Sequence, residues 1–266
     1  PGAAAAQGGA GRGGPAAAGG SPRGMRQTGS QRRSYRIVGD LLSIQAEVRQ
    51  RQPTFTALRI SGGVQFEETT PAAGGPPPLR IRAEQVDVAG ADAEDTTIEI
   101  RGGDPRGGMA EIGAGTTVLR APAVRVRRGA NEARIDAPGE VQMTLLRDLS
   151  GQPLARPEPL AITWRDSLHL LGDRITVLGN VHVQHGDDWL RTDKLVAVLT
   201  APVQFDSAGA GDRPEPEVAQ VECWGGARAE FLQRDATGAV TSLNRFEAAS
   251  LSVNQVSGRI AGDGPG

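Results

Sequence analysis

From Tyr35 onward the chain alternates apolar and polar residues in short runs, each broken by Gly, Pro or Asp. A period of two places every second side chain on one face of a sheet, so the pattern predicts strands. Four runs share more than alternation. They read Leu58-x-Ile60-x-Gly62-x-Val64-x-Phe66, Ile135-x-Ala137-x-Gly139-x-Val141-x-Met143, Ile175-x-Val177-x-Gly179-x-Val181-x-Val183 and Val221-x-Cys223-x-Gly225-x-Ala227-x-Ala229-x-Phe231. Each sets a glycine at an inward position in mid-strand. Glycine weakens a strand, so its presence there predicts a bend or a close backbone approach.

A second motif alternates with the first. Its copies run Leu79 to Val88, Leu119 to Val126, Leu190 to Leu195 and Phe246 to Val253, with a looser one from Trp164 to Leu170. Here the apolar parity slips after a small residue, and the next inward side chain comes three positions on. A bulge or corner produces such a slip. Repeats that each bury one face only against their neighbours make an elongated stack. Gly/Pro-rich stretches at Thr70–Pro78, Gly102–Gly108, Ser150–Pro159 and Ser207–Glu217 are expected to be surface loops. No segment carries a helical stripe, so the expected class is all-β.

Composition sharpens this picture. Of 266 residues 38% are hydrophobic but only 3% aromatic, so the core must be Val, Leu, Ile and Ala. Residues 1–34 hold Gly, Ala, Pro, Ser and Arg with no acid, and are expected to be a disordered tail. The ordered part is expected at 35–262, as one stack or as two lobes, 35–150 and 160–262. A net charge of -2 offers no field for nucleic acid, and none is expected as a partner. No run approaches the ~18 apolar residues of a membrane helix. The chain opens on Pro1 without a leader, which reads as a processed or excerpted product.

Candidate chemistry is sparse. His182 and His185 flank an expected hairpin beside Asp187 and Asp188, and His169 is the third histidine. His182 has outward parity, so scattered solvated positions are favoured over a metal site. Asp92, Glu94 and Asp95 sit in turn text, where Asp serves local backbone hydrogen bonds. No nucleophile elbow or phosphate loop is present, so neither enzyme activity nor a cofactor or metal is expected. Cys223, the single cysteine, has inward parity and is expected to be a small buried residue. Trp164, Trp189 and Trp224 could rim a groove, though ordinary packing is expected for at least two of them. The inward small residues (Gly62, Gly139, Gly179, Ala227, Ala229) are expected to leave space.

The segment LHLLGDRITVLGNVHVQHGDDWLRTDKLVAVL, from Leu168 to Leu199, resembles the repeat of the OstA-like family, which includes LptA, LptC and the periplasmic part of LptD. Its unit pairs a G-N-V strand with an A-D-x-apolar strand. Gly179-Asn180-Val181 and Thr192-Asp193-Lys194-Leu195 match best, and Ala83-Glu84-Gln85-Val86 and Gly63-Val64 match in weaker form. The chain departs from the family in its longer insertions and its Arg/Gly tail. The resemblance implies an open, V-shaped β-jellyroll (a β-taco) of stacked antiparallel strands whose apolar groove holds acyl chains. It would be a periplasmic carrier or bridge for lipopolysaccharide or a related glycolipid towards the outer membrane. Edge strands would pair with other OstA-like proteins or with another copy. The expected groove lining is Ile60, Val64, Phe66, Ile135, Val141, Met143, Ile175, Val177, Val181, Val183 and Phe231, with Gly62, Gly139, Gly179 and Gly225 along the spine. The competing expectation is a β-solenoid scaffold with a closed, dry core, self-assembling without lipid.

Overall fold

The computed structural model describes residues 34–49, 52–69, 78–90, 95–103, 108–147, 153–205, 216–234, 240–255 and 257–264. These belong to one compact unit, Arg32–Gly266; the other unit, Pro1–Gln31, lies outside the described residues. So do the expected tail (apart from Ser34) and most of the expected loops at Thr70–Pro78 and Ser207–Glu217. The described regular structure is all-β, seventeen strands in one antiparallel sheet.

The chain lays this sheet down rung by rung. β1 (Tyr35–Val38) and β2 (Leu41–Arg49) are two legs of one rung, bent at Gly39-Asp40, and both pair with β3 (Gln52–Glu68). The two halves of β4 (Arg80–Ala89) pair with β5 (Thr97–Arg101) and β6 (Ala110–Ala114). Three more split rungs follow: β7 (Thr117–Ala121) with β8 (Ala123–Arg127), β9 (Glu132–Ile135) with β10 (Gly139–Arg147), and β11 (Pro153–Trp164) with β12 (Ser167–Leu171). β13 (Arg174–His185), β14 (Asp188–Leu199), β15 (Val218–Arg234) and β16 (Val240–Asn254) run through their corners unbroken. β17 (Arg259–Asp263) covers one half of β16 only. The legs aligned with β1, β6, β7, β10 and β11 form arm A, and those aligned with β2, β5, β8, β9, β12 and β17 form arm B. Pairing continues across residue 150, β10 with β11 and β9 with β12.

The corners have a common construction. Gly62-Gly63 (φ 81° and 60°), Gly179-Asn180 (86° and 44°) and Gly225-Gly226 (80° and 87°) each put two left-handed residues in series. Opposite each pair the next rung spends one residue, Glu84, Asp193 or Ala249. Two residues against one is a bulge, and the strand bends there. Left-handed φ favours Gly and tolerates Asn, which accounts for the residue types. Asp40, Asp166 and Asp193 fill the space that a Cβ on Gly62, Gly179 and Gly225 would need. Gly139 has another reason. The ring of Trp164 occupies its Cβ position, and Trp164 Nε1 donates to the Ala137 carbonyl at 2.9 Å.

One expected loop is a strand. Much of Ser150–Pro159 belongs to β11, whose register with β10 carries Pro159 opposite Thr144. β13 pairs only with Leu160–Thr163, so the earlier part of β11 is an edge there. Proline lacks the N–H donor but is tolerated where no second ladder demands one.

Packing across the bend explains the small residues. On arm A the row flanking the corner runs Val64, Ala83, Ala110, Ala121, Gly139, Trp164, Val181, Thr192, Ala227, Ala248. The matching row of arm B is bulkier, with Ile60, Val86, Ile100, Val124, Ile135 and Leu195 among its members. Large side chains on one leg lie against small ones on the other, and both rows join a single core. The alanines therefore leave no space: Ala110, Ala121 and Ala227 are fully enclosed. Thr192 is satisfied in this layer, its Oγ1 donating to the Trp224 carbonyl at 2.9 Å.

Two measurements check this account. Gly179→Ala imposes a left-handed φ on a residue with a Cβ, and should lower unfolding stability by about 1–3 kcal/mol in urea titrations. Asn180→Gly should change it by less than about 0.5 kcal/mol. Cys223 is buried in the corner layer and burial pushes its thiol up to about 11. An aromatic disulfide reagent at pH 8 should therefore label it only across the unfolding transition followed by circular dichroism.

Candidate functional site

Ladder register fixes the face of each side chain, and distance from the corner fixes its depth. Beside the corner, inward residues are sealed on both arms: Val64 is 1% exposed, Val124 2%, Val181 0% and Cys223 1%. One step outward the inward residues are only half-buried: Leu58 and Phe66, Ile98 and Ile112, Leu119 and Val126, Ile175 and Val183. Ala197 and Ala229 depart from this, being too short to rise out of the wall. A sandwich closed along both edges would bury its mid-height most. On arm A burial then decays towards the lip, whereas at the tip of arm B Thr96 and Leu199 are buried again; the arms form a trough with a sealed crease.

The expected lining residues divide accordingly. Ile60, Val64, Ile135, Val177 and Val181 lie in the sealed crease. Phe66, Val141, Met143, Ile175 and Val183 are half-buried on the walls, and Phe231 is exposed on arm A. Gly62, Gly179 and Gly225 sit at corners, and Gly139 lies beside Trp164. Wall positions such as Ile81, Ile112, Leu119, Val126, Ile162 and Leu190 were not singled out from sequence. Their signal was the same parity, carried through the corner slip.

At both ends of the stack inward apolar residues lose their neighbour. Leu42 is 58% exposed and Ile44 53% on the first rung, and Ile260 is 68% exposed on the last. The far tip of arm B is tied along several rungs. Beyond β14, Val203 N donates to the Gly172 carbonyl at 3.0 Å, and Gly172 N to that of Asn131 at 3.0 Å. Leu199, at that tip, is buried.

The outer face carries most of the described charge, with a few apolar residues such as Leu178, Val196 and Trp224 among them. Arg120 lies between Glu111 and Glu140 at 2.9 and 2.7 Å, and these contacts raise its pKa further. Partial burial acts to raise the pKa of Asp87. Hydrogen bonds from Arg59 and Gln85, with the charges of Arg59 and Arg101, outweigh it and hold the carboxyl below its ordinary value. Single exposed pairs of this kind add little stability each, so their effect is mainly to mark which face meets water.

The histidines do not converge. His182 points outward beside Arg191, and burial, with that arginine's charge, lowers its pKa. His185 points inward, with Nε2 2.8 Å from the Glu158 carboxylate but outside hydrogen-bond geometry. His169 Nε2 contacts Glu132 at 2.9 Å on the outer face of arm B. Among the described residues no group of three or more His, Cys, Asp or Glu could hold a metal. Asp188 accepts from Leu232 N, and Asp95 pairs with Arg127; Asp92 and Glu94 lie outside the described residues. Of the tryptophans only Trp164 packs in the core. Trp189 stacks under Arg191 at 5.3 Å, and Trp224 is 48% exposed on the outer face, so packing claims one rather than two.

No protein-family model and no curated protein matches the chain. A solved structure of LptH, described as the LptA-homologous periplasmic component of the conserved lipopolysaccharide transport device from Pseudomonas aeruginosa, is 11% identical. That match covers 70% of this chain and 92% of the other, with a TM-score of 0.22, at which the two do not superpose as whole bodies.

Proposed function

We propose that the chain is a non-enzymatic lipid-binding protein whose trough shields the acyl chains of lipopolysaccharide or a related glycolipid. It would act in the periplasm, carrying or bridging the lipid passively towards the outer membrane. The outward decay of burial along the wall of arm A supports this reading most directly. Half-buried Leu, Ile, Val and Phe side chains present apolar surface that a hydrocarbon chain would cover, at ~0.8 kcal/mol per buried methylene. A dry, closed scaffold would leave no such graded wall. The edges of the end rungs, unpaired among the described residues and with Leu42, Ile44 and Ile260 exposed beside them, suit strand addition by a further β-protein or a second copy.

Native mass spectrometry of protein taken from the periplasm of a lipopolysaccharide-producing host should show a bound lipid. Val183→Asp and Val141→Asp, on the walls, should abolish that adduct while keeping β-type circular dichroism. Val181→Asp, in the crease, should unfold the chain instead. Wild-type protein that stays lipid-free after glycolipid is added would overturn the proposal. For the edges, Ile260→Asp should change unfolding stability by less than about 0.5 kcal/mol. It should still reduce end-to-end association in light scattering; unchanged association would remove the edge from the account.

A further inference from the structure

Residues paired across a ladder share a face, so one lateral row can be followed from rung to rung. The inward wall row of arm A starts at Ile37 on β1 and passes through Phe66, Leu119, Ile162 and Leu190 to Phe246 on β16. That of arm B starts at Ile44 on β2 and passes through Leu58, Ile98, Leu170 and Val221 to Ile260 on β17. Every member of both rows is Ile, Leu, Val, Phe or Ala, and no polar side chain interrupts either. The inner members, from Phe66 to Leu190 and from Leu58 to Ile175, are half-buried.

Each apolar strip is long but only one residue high. Below it the crease is sealed, with Val64 and Val181 enclosed. Above it on arm A the next row is mixed, with Glu68, Thr117, Met143, His185 and Asp188 among its members. At the tip of arm B, Thr96 and Leu199 are buried again. Two residues advance a strand by about 7 Å, so the half-covered wall is no deeper than that. Across the rungs the same strip continues for about 50 Å, at about 4.8 Å per rung. An extended dodecyl chain is longer than the first distance and shorter than the second.

We infer that hydrocarbon lies lengthwise in the trough, along the wall rows and across the rungs, and does not enter end-on. This rests on the lipid-binding reading above and adds to it the pose of the chain. End-on, a chain buries only the methylenes that fit between lip and crease, and the rest stay in water. Lengthwise, each further methylene meets another apolar side chain. The trough therefore has no ruler for chain length and takes unbranched chains of many lengths. It also takes chains with a polar group at both ends, because the lip runs beside the strip and lets either end reach water. End-on, the far polar group would be pressed against a floor of Val, Ile and Ala without a hydrogen-bond partner, which is costly.

The test is displacement of N-phenyl-1-naphthylamine fluorescence from the wild-type protein by single-chain amphiphiles kept below their micelle concentrations. From octyl to tetradecyl maltoside, half-displacement should need about twofold less for each added methylene, as half-coverage on an open wall implies. The diol 1,12-dodecanediol should compete within about fivefold of 1-dodecanol, since neither hydroxyl loses its water. Val183→Asp, checked by circular dichroism, should weaken both alcohols by about tenfold, because each lies on that wall. Affinity that is level from octyl to tetradecyl maltoside, or a diol about thirtyfold or more weaker than the alcohol, would overturn the lengthwise pose while leaving lipid binding intact. Failure of the protein to bind the naphthylamine probe, failure of every amphiphile to displace it, or displacement untouched by Val183→Asp would overturn the lipid reading itself and this inference with it.

Discussion

The bend in each rung is the constraint on which everything else in this sheet depends. Many rungs cross the corner either by spending two left-handed residues against one on the neighbour or by letting their parity slip beside a small residue or proline. Gly62-Gly63, Gly179-Asn180 and Gly225-Gly226 take the first course; Glu84, Pro122 and Asp193 mark the second. The two courses alternate because a bulge on one rung needs a shorter partner on the next. An aspartate from the adjoining rung then fills the room that glycine vacates, at Asp40, Asp166 and Asp193. Local backbone chemistry thus propagates laterally into a continuous crease.

Once the crease exists, packing follows from its acute geometry. Side chains flanking the corner meet across a narrow gap, so bulky aliphatics on arm B are matched by alanine, glycine and threonine on arm A. Val64, Val181 and Trp164 are larger members of the small side, and the missing side chain of Gly139 accommodates the tryptophan. One step farther from the corner most apolar residues on the inward face are only half-covered. The same geometry separates a sealed floor from half-covered walls.

Charge obeys the same two-sidedness. Outward rows interleave Arg with Asp and Glu across successive rungs, which keeps a sheet rich in apolar residues soluble and sets its facing. Inward rows are apolar until the lip of arm A, where Glu158, His185 and Asp188 appear together.

Period-two alternation in the sequence determined that this protein is all-β, and the G-x-apolar runs located the corners at Gly62, Gly179 and Gly225. Parity also sorted inward from outward for Ile60, Val181, His182 and Cys223, because that choice is local to the strand. It misjudged residues 153–159 as loop, since proline there is acceptable only on an edge, and edges exist only once strands have found their partners. The small inward residues read as vacant space for a similar reason: Ala110 and Ala227 are fully enclosed by the packed core, which alternation along a single strand does not report. Parity reports a face and never a depth. Whether Val177 is floor and Val183 wall was decided by the tertiary bend alone, because only the distance from the crease sets how much of a side chain the opposite arm can cover.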